Sequence, residues 1–147
     1  MNLQSLIIDT KAAWVEYPGL EGFKVNVTAL SRKELTALHK RCSASSFDRK
    51  THQSIEKLDD EKFGREFTLA AVKGWEGLKL RYLEDLMLVD LKGKNLDDQL
   101  EYSTENAVTL VGGSIDFDRW LTEVVMDLDN FRTKPEGPAV GTAGKVV

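Results

Sequence analysis

At 147 residues, 41% hydrophobic and 30% charged, the chain has the size and balance of one globular domain that can bury a core without staples. No apolar run approaches the roughly 20 residues of a membrane-spanning helix, and a single cysteine, Cys42, excludes an internal disulfide or a cysteine metal cluster. The net charge of −4 divides into 8 Lys/Arg against 5 Asp/Glu over residues 1–53 and 12 against 19 over residues 54–147, which argues against the basic stripe of a general nucleic-acid binder.

The start, MNLQSLIIDTK, lacks the basic lead, long apolar middle and cleavage site of a secretory signal, because Asp9 breaks the LII run. A protein that stays in a reducing cytoplasm is expected. LIID, residues 6–9, can form a strand. WVEY (14–17) and FKVNVT (23–28) alternate in period two around Pro18, Gly19 and Gly22, which predicts a β-hairpin with one buried face. At Leu30 the period changes. Ser31 followed by Glu34 forms a capping box, with Leu30 and Leu35 placed as a hydrophobic staple, so a helix begins whose inner face carries Leu35, Leu38 and Cys42.

SASS (43–46) interrupts that helix, and the polar run FDRKTHQSIEKLDD reads as a mobile loop with at most a short helical turn. Asp59 or Asp60 then caps a second helix through Phe63, Phe67, Ala70 and Ala71 to Gly74, after which GWEGL (74–78) permits a sharp reversal. RYLEDLMLVDL suits a helix, although LMLVDL also fits an extended run; KGKNLDDQLEY reads as a connecting loop. Ser103 caps a helix carrying Ala107, Leu110 and Val111 that ends at Gly112-Gly113. In SIDFDRWLTEVVMDLDNF the apolar Phe117, Trp120, Leu121, Val124, Leu128 and Phe131 share one face of a helix of about four turns. After Arg132 the period is lost, which predicts a flexible tail over 133–147. The expected fold class is α+β and predominantly helical: one domain over 1–132, with the hairpin at about 13–28, four to five helices over 31–132, and the tail.

Chemistry-bearing patterns are sparse. His39 and His52 lack partners at metal-ligand spacing, and no phosphate loop, nucleophile elbow or zinc-protease motif occurs. Cys42 beside Arg41 could be an activated thiol, but its place four residues after Leu38 favours a buried structural role. Asp59-Asp60-Glu61 and Asp97-Asp98 fit helix starts and solvated loops better than cation sites. Trp75, between glycines, is either the plug of a corner or an anchor for a partner, and core packing is the default for Trp120. These readings describe a non-catalytic protein without metal or cofactor.

The hairpin leading into ALSRKEL, the pattern F-x-x-x-F-x-x-A-A-V-x-G-W-x-G-L from Phe63 to Leu78, YSTENA at 102–107 and FDRWLTEVVMDLDNF at 117–131 belong together. Over about residues 10–132 the chain resembles the tail assembly chaperones of long-tailed, non-contractile bacteriophages, most specifically in GWEGL and the last helix. The resemblance implies a chaperone, not an enzyme, that coats the tape measure protein, keeps it soluble, helps bring major tail tube subunits to it in the host cytoplasm, and is absent from the virion. It implies no nucleic-acid or membrane partner and allows a homo-oligomer. The client surface expected from the completeness of the apolar stripe is Trp75, Leu78, Phe117, Trp120, Leu121, Val124 and Leu128. The family also implies a longer form made by a one-nucleotide ribosomal slip near the end of the frame. Ala143-Gly144-Lys145 can be encoded GCG GGA AAG, which holds a slippery heptamer, so Gly144 and Lys145 are the candidate site. The alternative is a structural phage protein such as a head-tail connector or minor tail component.

Overall fold

The computed structural model describes residues 1–8 and 10–132; the tail expected over 133–147, with the candidate slippage site at Gly144 and Lys145, lies outside the described residues. Strands β1 (Thr10–Glu16) and β2 (Lys24–Leu30) form the expected hairpin, in register from Thr10↔Leu30 to Glu16↔Lys24. Its turn closes with the Tyr17 amide donating to the Phe23 carbonyl at 2.9 Å, with Gly19 and Gly22 at φ +85° and +83°. Helix α1 (Arg32–Arg41) starts where the capping box places it, Ser31 Oγ accepting from the Glu34 amide at 3.1 Å.

The fold is not the predominantly helical α+β arrangement expected from the sequence. Among the described residues it is mixed α/β, with five helices and five strands in two antiparallel sheets. Two segments account for the correction. Residues expected to form a mobile loop make β3 (Ser43–Asp48) and β4 (Gln53–Leu58), paired from Ser43↔Leu58 to Asp48↔Gln53. A four-residue loop joins them; the His52 amide donates to the Asp48 carbonyl at 2.8 Å, and His52 takes φ +57°. Neither face of this ribbon is buried, so its sequence carries none of the apolar alternation by which a strand is recognised.

The second segment is GWEGL. Helix α2 (Asp60–Ala71), capped by Asp59 Oδ1 accepting from the Lys62 amide at 3.1 Å, ends before Gly74. Val72–Glu76 is strand β5, which pairs antiparallel with β2 and completes a sheet of order β1-β2-β5. Val72 stands beside Val27 and Trp75 beside Val25, on the buried face; a register shift between Asn26 and Val27 keeps both there. The third strand is thus not LIID. Leu3–Ser5 form a 3-10 turn, Leu6 to Ile8 lie in no strand, and Asp9 is outside the described residues.

Helix α3 (Leu80–Leu86) is shorter than RYLEDLMLVDL suggests; from Met87 the chain is extended, with Met87 and Val89 half-buried and Leu88 exposed. Helix α4 (Thr104–Gly113) has the expected bounds, with Ser103 Oγ accepting from the Asn106 amide at 3.0 Å. Helix α5 (Ile115–Met126) is capped by buried Ser114, whose Oγ accepts from the Phe117 amide at 3.1 Å. It stops a turn early. Asp127 leaves helical geometry and caps a 3-10 turn at Leu128–Asn130, which turns Leu128 to solvent and returns Phe131 to the core.

Helix α4 packs on both α2 and α5, and α2 and α5 each contact β2. Phe23, Val25, Val27, Val72, Leu78, Leu110, Phe117, Leu121 and Val125 form the fully enclosed centre. No described helix is long and apolar enough to cross a membrane.

Candidate partner-binding surface

The aromatic centre explains where most of the expected client residues went. Phe23, Phe117, Tyr17 and Trp120 interlock with ring centroids 4.8 to 6.2 Å apart, and Trp75 meets Phe23 and Tyr102 edge-on at 6.5 and 5.2 Å. Trp75 Nε1 donates to the Leu100 carbonyl at 2.9 Å and the Tyr102 hydroxyl to the Val72 carbonyl at 3.1 Å, so both polar tips are satisfied inside the fold. Burial raises the pKa of Tyr102; burial, helped by the Asp116 carboxylate, also raises that of Tyr17.

Of the seven residues expected to face a client, Trp75, Leu78, Phe117, Leu121 and Val124 are buried, Trp120 is half-buried, and Leu128 alone is well exposed, at 62%. The structure brings the first six together as core. Leu128 lines a different feature, a cleft of about 320 Å³ between the start of β1 and the chain after α5. Its walls include Ile8, Ala29, Leu30, Leu128 and Phe131, with Lys11 and Arg132 among the polar residues. Leu6 and Ile7, exposed and next to Ile8 in sequence, extend the apolar surface.

Sequence reasoning missed Leu6, Ile7 and Ile8, which it assigned to a strand, and Trp14. Trp14 opposes Asn26, which opposes Gly74, so it stands on the sheet face away from the core, 54% exposed, with its ring within contact distance of any side chain added at Gly74. Polar Asn26 opposite Trp14 was the available signal for that outward register.

The residues weighed for chemistry are scattered. Cys42 is buried, His39 lies against Phe63 with rings 4.7 Å apart, and His52 sits in the β3–β4 loop beside Phe47. Asp59 caps α2, and Asp97 accepts from Arg81 at 2.6 Å, which holds its carboxyl below the usual range. Among the described residues no group of three His, Cys, Asp or Glu is placed to hold a metal ion. The chain matches no protein-family model, no curated protein and no solved structure.

Proposed function

We propose that this protein is a tail assembly chaperone of a long-tailed, non-contractile bacteriophage. It binds the tape measure protein in the host cytoplasm, keeps it soluble, assists tail tube assembly and is left out of the virion. The reading is carried by the resemblance of the Phe63–Leu78, YSTENA and FDRWLTEVVMDLDNF segments. The geometry supports it with an accessible apolar cleft, the kind of feature that receives one stripe of an amphipathic helix and releases it again, because the buried area is small. The client surface belongs at Leu128, Ile8 and Leu30, next to the stripe chosen from periodicity, while Trp75, Phe117, Leu121 and Val124 hold the fold. Contact with the major tail tube protein runs through the longer, frameshifted form.

Co-expression with the tape measure protein tests the assignment. Leu128→Asp should fold normally and reduce co-purification of the client about ten-fold, the effect of placing a charge in an apolar contact. Undiminished capture would refute the cleft as the binding surface. Finding the protein in purified particles by mass spectrometry would refute the chaperone reading in favour of a structural phage protein.

A further inference from the structure

The β3–β4 ribbon projects from a body it scarcely touches: no helix or other strand packs on it beyond marginal contact, and its base is tied by the Asp59 amide donating to the Cys42 carbonyl at 2.8 Å. Two strands alone are marginally stable in water, and this pair exposes Phe47 and Ile55, on opposite faces by the register. The faces differ in charge. Ile55 shares its side with Lys57 and Asp48, which offset each other below the loop cations Arg49 and Lys50, whereas Phe47 shares its side with Glu56 and no strand cation. Arg49, Lys50 and Lys57 appear in none of the ion pairs among the described residues.

The complementary surface is on the same chain. From Ile115 to Asn130 there are five acidic residues and one Arg, and that Arg119 is already beside Asp116 at 3.7 Å. Ile115, Asp118, Arg119 and Met126 fall on one outward side of α5, with Glu123 and Asp116 at its margin, so the side keeps a net negative charge; all six are exposed. Six-residue strands and a 12-residue helix both extend about 18–20 Å, so the ribbon matches the helix in length as well as charge and apolar content. The ribbon shares at most marginal contact with α5 of its own chain.

We propose that the Ile55–Lys57 face of the ribbon, with Arg49 and Lys50, docks on the outer face of α5 of a second copy, a head-to-tail contact in which each copy offers one surface and accepts the other. The inference rests on charge and shape alone and is independent of the phage reading.

Sedimentation velocity of the full chain, from low micromolar to about 100 μM at low and high salt, tests it. Association that weakens with salt is expected. The double variants Arg49→Glu/Lys50→Glu and Asp118→Lys/Glu123→Lys, all at exposed positions, should each keep the wild-type circular dichroism and weaken association about ten-fold. Mixing the two should restore it, because the intact ribbon of one meets the intact helix of the other. Ile55→Ser, which leaves every charge in place, should weaken it about three-fold or more. A monomer under all conditions, association indifferent to both charge reversals, or a mixture that stays monomeric would overturn the proposal.

Discussion

Replacing Gly77 by Ala should be among the most damaging single-methyl changes in the protein. Gly77 has φ +75°, and a Cβ there would stand 2.0 Å from the Gly22 carbonyl oxygen and 2.8 Å from its carbon. The left-handed backbone costs a non-glycine residue about 1–2 kcal/mol. Relieving the clash requires moving the backbone of the β1–β2 turn, held by the Tyr17–Phe23 and Phe23–Leu20 hydrogen bonds, by about 1 Å, and overpacking of that kind costs about 1–3 kcal/mol more. The sum, about 2–5 kcal/mol, is a large part of the stability of a domain this size and corresponds to about 6–20 °C in Tm. Gly93 supplies the internal control, with φ +77° and nothing within 4 Å of an added Cβ, so Gly93→Ala should lose only the conformational part, about 1–2 kcal/mol. Urea unfolding followed by tryptophan fluorescence measures both. Equal losses for the two variants would show that the close approach of Gly22 and Gly77 contributes nothing, and that GWEGL is not held by this contact.

Ser114→Ala removes the acceptor for the enclosed Phe117 amide and should cost about 2 kcal/mol in urea unfolding, whereas the same change at exposed Ser103, also an N-cap, should cost about 1. Val124→Asp should unfold the free protein, seen as loss of far-UV dichroism, because the side chain is buried at the α5 inner face. Arg65 holds Glu105 and Arg81 holds Asp97 below the ordinary carboxylate range. The stabilisation from these exposed pairs is therefore complete above about pH 5, lost as pH falls through the ordinary and then the lowered values, and absent in Glu105→Gln/Asp97→Asn, which thermal melts across that window would register. If the proposed chaperone function holds, replacing His39, Cys42 and His52 together by non-ionisable residues of similar size should leave tail assembly in a phage complementation assay intact; lost assembly with an undamaged fold would reveal chemistry at those positions.

The chain by itself determined the elements whose signals are local. Ser31, Asp59, Ser103 and Ser114 cap four helices through a side-chain oxygen three residues from the amide it accepts, a relation visible in sequence because it depends on nothing further away. The alternation of Phe23, Val25 and Val27 likewise declared the front hairpin, since one face of it is buried. Tertiary structure decided the rest. Val72 and Lys73 fall within the helical reading that ends at Gly74, and Gly74 to Glu76 within an expected reversal, yet Val72–Glu76 form a strand because the open edge of β2 places Val72 and Trp75 over the core. The ribbon from Ser43 to Leu58 has no buried face and so no periodic signature; only the pairing of its two halves identifies it. The partner surface followed the same division: the apolar stripe of the last helix was legible, but a stripe looks the same whether it meets its own core or another protein. The early end of α5 at Met126 separated Leu128, which faces solvent, from Phe117, Leu121 and Val124, which do not. That break comes from packing the chain back to bury Phe131, a contact that no local pattern encodes.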